Sequence, residues 1–456
     1  MQSTGRLVHR TSQADRPSGR RARAAAARCF LAVAAAAGAV RPAVADDAPP
    51  PEVPGRAGLP DAESPPDLAP PEALRFDAAG LRWRMGAYAA LDLTHRGHRT
   101  NDPSLRDVSL SAARPILEAW GERVTVRVEG DAIGVDTPQH LYEAWIGWQA
   151  SRNAPRFSIG QFRVALGSEF ATHEGDLPYL GYGFTSQLDG RHDVGARVDG
   201  TLTEGLWYQA AAVAGHGFNL EGERLHSPQA SLRVEVAPFR LGDPDAGSAG
   251  GAQGFHVGVA YAARGSGKDP VLAATPAQTP VFRTGRVEID GGRWVHFDAG
   301  WGSGPIRIGF EKVFGRVDDV EDRSGGSADH DNLRAYSLFA RWNLTGDDGV
   351  RREGSWATGP GPSPQSCSCL PAGTWEVAGR FSVGTFGRDF FNDGLAATGG
   401  PSTWQAMTYT AGIFWEPTPN TRIGFECVKT VTEDALAAFG GTKRDTTFIL
   451  RLEMQF

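Results

Sequence analysis

The order Arg-x-Glu recurs in the strand-like stretches of this chain at Arg127/Glu129, Arg233/Glu235, Arg286/Glu288 and Arg451/Glu453. On an extended strand, residues two apart share a face, so each pair sets a guanidinium beside a carboxylate. Groups placed this way can hold and orient polar or charged solutes. Bond-making chemistry needs more, namely a nucleophile or general base backed by an orienting partner. The sequence has no Gly-x-Ser-x-Gly elbow, no phosphate-binding loop, no His-Glu-x-x-His helix and no Cys-x-x-Cys pair. His192-Asp193 and His330-Asp331 are adjacent, and a strand turns adjacent side chains to opposite faces. The expectation is a charged wall, with no catalytic residue, no metal site and no cofactor.

The elements that carry this wall read as strands. From residue 81 onward, apolar residues recur at alternate positions over stretches of about ten residues, the pattern of a transmembrane β-strand. Leu81, Trp83, Met85, Ala87, Ala89, Leu91 and Leu93 share one face, against Arg82, Arg84, Tyr88 and Asp92. Val124, Val126 and Val128 alternate with Arg123, Arg127 and Glu129, and Ile306, Ile308 and Phe310 alternate with Arg307 and Glu311. A soluble sandwich alternates too, but about 375 residues of strand without a helical period exceed what one sandwich holds. Trp83, Trp145, Trp148, Tyr208, Trp342 and Trp415 fall near strand ends, where a lipid interface collects aromatics. In the last strand Phe448, Leu450, Leu452, Met454 and the terminal Phe456 alternate with Thr447, Ile449, Arg451, Glu453 and Gln455. That ending resembles the C-terminal assembly signal of bacterial outer-membrane barrels, and it assigns Phe456 the role of contact for the barrel-assembly machinery. The fold expected is an all-β, transmembrane antiparallel barrel. About seventeen strand candidates are present and single-chain bacterial barrels close with even numbers, so sixteen strands are expected and eighteen are the alternative.

The segments before the barrel fit export. Residues 1–45 run from an Arg-rich start through the apolar stretch Cys29 to Val40 to Ala43-Val44-Ala45, the order of a cleaved signal peptide. Residues 46–75 hold nine prolines and read as a disordered linker, which leaves 76–456 as the barrel domain. Mean hydropathy is -0.31, and past residue 45 no run approaches the roughly 20 apolar residues of a membrane-spanning helix. The leader holds eight of the 46 basic residues and one of the 53 acidic ones, so the exported chain carries a net charge of -14 and has no bulk attraction for nucleic acid. The cysteines left after cleavage, Cys367, Cys369 and Cys427, are odd in number and imply no disulfide framework. Compact turns at 203–205 and 416–420 contrast with polar stretches at about 265–280, 317–331, 346–372 and 431–444. The expectation is short periplasmic turns at one end and these four long loops at the other.

Several stretches, in order, resemble the phosphate-selective porin O/P family. They are Gly160-Gln161-Phe162-Arg163-Val164-Ala165-Leu166-Gly167-Ser168-Glu169 with Thr172, then Arg191-His192-Asp193-Val194-Gly195 with Gly200, then Trp342-Asn343-Leu344-Thr345-Gly346-Asp347, then Gly373-Thr374-Trp375-Glu376-Val377-Ala378-Gly379-Arg380-Phe381-Ser382. The resemblance covers residues 81–456. It implies a sixteen-stranded outer-membrane porin, a homotrimer, with a third outer loop folded into the lumen. It also implies a constriction lined with Arg and Lys, whereas Gly167 to Gly190 contains neither and carries Glu169, Glu174, Asp176 and Asp189.

With the polar face turned inward, the expected anion contacts are Arg163, Arg123 and Arg127, with Arg197, Arg233, Arg286, Arg307 and Arg380 also lining the pore. Glu169, Glu174 and Asp176 form the acidic constriction loop. Inward carboxylates nearly match inward arginines in number, and a wall of mixed sign selects ions weakly. The function expected is passive diffusion of small polar solutes or inorganic anions, phosphate among them, through a water-filled lumen in the bacterial outer membrane. The alternative is a plugged structural or binding barrel without channel activity.

Overall fold

The computed structural model describes residues 75–455 except 98–107, 134–140, 152–153, 165, 190, 216–227, 241–253, 269–271, 285–286, 304, 323–326, 346–372, 394, 397–401 and 419. The expected signal peptide, nearly all of the linker, and Phe456 therefore lie outside the described residues.

Sixteen strands close one antiparallel barrel. They are β2 (Leu81–Arg96), β3 (Val108–Trp120), β4 (Val124–Gly130), β5 (Leu141–Gln149), β6 (Arg156–Val164), β7 (Arg191–Thr203), β8 (Leu206–Val213) and β9 (Gln229–Val236). The circuit continues with β10 (His256–Arg264), β14 (Val287–Ser303), β15 (Ile306–Asp322), β16 (Ser327–Asn343), β17 (Thr374–Phe386), β18 (Gln405–Thr418), β19 (Thr421–Leu436) and β20 (Thr442–Gln455). β20 closes the ring by pairing with β2 from Tyr88↔Gln455 to Arg96↔Thr447. The short β1 (Arg75–Ala78) continues the line of β20 and pairs with the start of β2, so the first strand has no open edge there. β11 (Gly267–Lys268) extends β10 along β14, while β12 (Leu272–Ala274) and β13 (Pro280–Arg283) form a separate hairpin.

The outward face keeps the alternation seen in the sequence. Met85, Leu91, Leu93, Ile146, Ile159, Leu338, Phe425 and Leu450 are all exposed, an arrangement that lipid makes favourable and water would not. Trp148 and Trp342 lie exposed near the end that carries the chain termini, where Trp375 and Trp415 also stack at 5.5 Å. Among the described residues no helix is long and apolar enough to cross a membrane.

The inward face departs from the expected polar lining. Near the terminus-bearing end it is charged, with Arg307 and Glu311 on β15 and Arg341 on β16. Toward the loop end it turns apolar, with Val313, Val317 and Val320 on β15 and Leu333 and Ala335 on β16. The cause is inward packing of loops: Phe184, Ala273, Val281, Phe282, Phe390, Leu395 and Phe439 join these wall residues in one buried cluster. Each large side chain so buried contributes about 1.5–3 kcal/mol.

Three loop expectations are corrected. The stretch 317–331 is mostly strand, because β15 runs to Asp322 and β16 starts at Ser327, and 431–444 is likewise mostly β19 and β20. The 346–372 stretch joins β16 to β17 at the same end as the termini, opposite to the expected outer position. The 265–280 stretch does lie at the loop end, but its β12–β13 hairpin folds inward.

Candidate functional site: the lumen wall and its inserted segment

The chain between β6 and β7, described over 166–189, crosses the lumen and touches the wall on several sides. Two of its pieces are short helices, Ser168–Ala171 and Phe184–Asp189. On one side Arg114 of β3 pairs with Glu174 at 2.8 Å, and the Tyr142 hydroxyl of β5 donates to the same carboxylate at 2.8 Å. Arg163 of β6 donates to the Thr172 carbonyl at 2.5 Å, and Arg233 of β9 donates to the Leu166 carbonyl at 2.6 Å. Across the lumen, Glu311 of β15 accepts from the Glu169 N–H at 2.6 Å and from the Thr185 hydroxyl at 3.0 Å. Arg380 of β17 donates to Glu169. On β19, Glu426 accepts from the Leu180 N–H at 2.8 Å and Arg422 donates to the Leu177 carbonyl at 2.7 Å.

Glycine permits two of these close approaches. A Cβ on Gly181 would overlap the Pro276 carbonyl of the inward hairpin, so the segment and the hairpin pack backbone to backbone. Gly160 holds φ 129°, a conformation side chains disfavour, and a Cβ there would strike β5. Against β4, pairing passes from Glu129↔Glu143 to Gly130↔Leu141, which leaves Tyr142 of β5 between, and both Tyr142 and Glu143 reach interior partners.

The rest of the wall is a lattice of ion pairs. Glu118 accepts from both Arg84 and Arg127, and Arg127 also reaches Glu129 at 2.8 Å and Glu143 at 3.3 Å. Arg156 pairs with Asp199 at 2.9 Å, and Arg197 pairs with the same carboxylate at 3.1 Å. Arg451 grips Asp92 through two nitrogens at 2.6 and 2.8 Å, and Arg422 reaches Glu453 at 3.4 Å. Arg341 pairs with Glu376. Water reaches this lattice unevenly. The side chains of Arg156, Arg127 and Arg84 are 34%, 22% and 17% exposed, whereas those of Arg422, Arg233 and Arg380 are 2%, 1% and 0% exposed. The solvated arginines lie on β2, β4 and β6, and the sealed ones lie on β9, β17 and β19.

The residues singled out in the sequence are distributed accordingly. Arg127, Arg197, Arg233, Arg307 and Arg380 stand on inward strand positions, and Arg163 bonds to the inserted segment. Arg123 does not line the wall: it is exposed in the turn between β3 and β4. Arg286 lies outside the described residues. Its partner in the Arg-x-Glu pattern, Glu288, is exposed on the outer face. The fault lies in which face each strand turns inward, while the pairing register is kept. Pairing passes from Ile289↔Val320 to Gly291↔Asp318, leaving Asp290 and Asp319 between, and Asp319 holds φ 47°. Inward positions therefore change from odd (Val287, Ile289) to even (Trp294, His296, Asp298) along one strand. Glu169 and Glu174 sit on the inserted segment. Asp176 ends the single 3₁₀ turn Glu174–Asp176. The reading missed Arg114, whose guanidinium also lies 3.8 Å over the Tyr142 ring, and Arg422 and Glu426. The alternation Arg422, Gly424, Glu426 against Ile423 and Phe425 contained that second signal.

Around Glu174, burial pushes the carboxyl pKa up, but Arg114 and the Tyr142 hydroxyl outweigh it, and the group is held below the ordinary carboxylate range. Among the described residues no group of three His, Cys, Asp or Glu side chains is placed to hold a metal ion.

No protein-family model matches the sequence, and no curated protein matches it. Solved structures do. The chain is similar to a loop L8 deletion mutant of OmpT, an outer membrane protein of Vibrio cholerae, with TM-score 0.51 and 10% identity, covering 83% of this chain and 100% of that one. It is also similar to an anion-selective porin from Comamonas acidovorans, with TM-score 0.50 and 11% identity, covering 82% of this chain and 100% of that one. At such identities the likeness is one of fold. Together with the lipid-facing band, it makes this chain a porin-like β-barrel of the bacterial outer membrane.

Proposed function

We propose that the barrel is a porin that passes small polar solutes and inorganic anions down their gradients, with weak preference for ion sign. The observation that carries this reading is the solvated lattice across β2 to β7, where Arg84, Arg127 and Arg156 on β2, β4 and β6 alternate with Glu118, Glu143 and Asp199 on β3, β5 and β7. Opposed charges along one wall give a field that orients dipolar solutes, whereas a ring of one sign would select ions. Phosphate is then one permeant among several, and the finer resemblance to phosphate-selective porins extends to architecture more than to lining. Arg163 and Arg380 act as positioning residues that hold the inserted segment against the wall. The reading includes no catalytic step and no cofactor. It includes a homotrimer and delivery to the membrane by the barrel-assembly machinery through the C-terminal strand.

One observation favours a second reading, a sealed structural or binding barrel. The apolar cluster around Phe184, Phe282 and Phe386 fills part of the lumen toward the loop end. Solute flux separates the two. Proteoliposomes holding the folded barrel should swell in isosmotic small sugars and release trapped phosphate, and tight vesicles containing demonstrably folded barrel would establish the sealed reading.

A further inference from the structure

The outer surface carries a group of cations where a lipid-facing surface should end. Arg293 on β14 and Arg316 on β15 are direct cross-strand partners, and both are exposed. Arg334 on β16 is exposed opposite Phe314, and Lys312 rests its ammonium 4.6 Å over the Phe314 ring. Like charges set directly opposite each other destabilise a sheet unless a counter-charge lies between them. One carboxylate is close: Asp318 pairs with Arg316 at 2.7 Å. Glu288 and Glu321 face each other further toward the loop end.

The height of the group matters as much as its charge. Trp342 pairs with Ile306 at the terminus-bearing end of the apolar band. Arg316 lies ten residues further along β15, which at about 3.3 Å per residue and a tilt near 40° is roughly 25 Å up, the height of the apolar band. Below Arg293 and Arg316 the same face presents Val295, Phe297, Tyr336 and Leu338, all exposed, with Arg334 level with Val295 and Lys312 level with Phe297 and Tyr336.

We propose that Arg293, Arg316, Arg334 and Lys312 form a site for the phosphate groups of an anionic lipid in the outer leaflet, whose acyl chains run down the apolar face beneath. Guanidinium forks suit phosphate oxygens, and Lys312 adds a point charge that can leave the Phe314 ring for a headgroup. The continuity of cations with lipid-facing side chains specifies a membrane lipid rather than a free anion, because a free anion gains nothing from the apolar surface. The site is independent of whether the lumen conducts.

The test uses the folded full-length barrel in non-ionic detergent, with diphosphoryl lipid A and its fully dephosphorylated counterpart as probes and retention read by native mass spectrometry. Wild type should retain the phosphorylated lipid about tenfold more strongly, and R293Q/R316Q/R334Q should lose that preference. Equal retention of both lipids by wild type would overturn the proposal, as would an undiminished preference in the folded variant. Inorganic phosphate at millimolar concentration should not displace the lipid; displacement would reassign the cations to free anions and overturn the lipid source. If the glutamine variant does not fold, R293K/R316K/R334K keeps the charges, and it should retain the preference in weakened form; its complete loss or an unweakened preference would each contradict the guanidinium role.

Discussion

Arg114 and Glu174 lie 2.8 Å apart and join the wall of β3 to the segment that crosses the lumen. On the opposite side Arg380 holds Glu169 of the same segment. The crossing is therefore tethered at two ends by ion pairs of unlike exposure: Glu174 is 25% exposed, and the Arg380 side chain is fully buried.

The buried tether should be the costlier to break. Glu169→Ala leaves Arg380 without its carboxylate, and removing one partner of a buried pair costs about 3–5 kcal/mol. Urea-induced unfolding in lipid vesicles should show a loss of that order, and single channels of the variant should be noisier as the segment loosens. A midpoint equal to wild type would show that the pair does not hold the segment.

The partly buried tether sets a pH dependence. Because the folded-state pKa of Glu174 is depressed, its contribution is present above the carboxyl group's unfolded pKa and is lost as pH falls through the lower folded value. Conductance should hold steady from pH 7 to about 5 and change only below about pH 4. In Glu174→Gln that acid transition should vanish. A transition near neutral pH that survives in the glutamine variant would place the response on another group.

Neutralising arginines should separate permeation from structure. Arg156→Gln removes the most solvated cation of the lattice, leaves Asp199 paired with Arg197, and should shift the reversal potential toward cation preference with little change in stability. Arg123→Gln, in an exposed turn, should shift it less. Arg233→Gln leaves Asp298 buried, its Arg233 bond of 2.5 Å lost, and should instead destabilise the fold by about 3–5 kcal/mol.

The outer band predicts a further asymmetry. Leu338 is 55% exposed and faces lipid, so Leu338→Arg near mid-band should cost about 2–4 kcal/mol in bilayer folding. The same titration should detect little change for Leu338→Ile. An arginine tolerated without cost would contradict the assignment of this face to lipid.

Much of this fold was legible because lipid imposes a strict period of two. Leu91 and Leu93 outside against Tyr88 and Asp92 inside follow directly from alternation, as do Leu450 and Leu452 against Arg451 and Glu453. The hydrophobic interior at the loop end was not legible. Val313, Val317 and Leu333 on the inner face look like lipid-facing residues until Phe282 and Phe390 arrive from loops distant in sequence. A change of inward face also hid information, since the irregularity at Asp290 and Asp319 turned Glu288 from an expected lumen residue into an outer one. Of the site, the arginines on regular strands could be read, whereas Arg114 acquires its role only from Glu174, a partner fixed by loop folding.

The most direct test of the central claim is single-channel current through the folded barrel in a planar bilayer, with reversal potential measured across a salt gradient and phosphate titrated in. A wall of mixed sign predicts stepwise conductance, a cation-to-anion permeability ratio within about threefold of unity, and no phosphate block. Strong anion preference with block by phosphate, or no conductance from a demonstrably folded barrel, would contradict it.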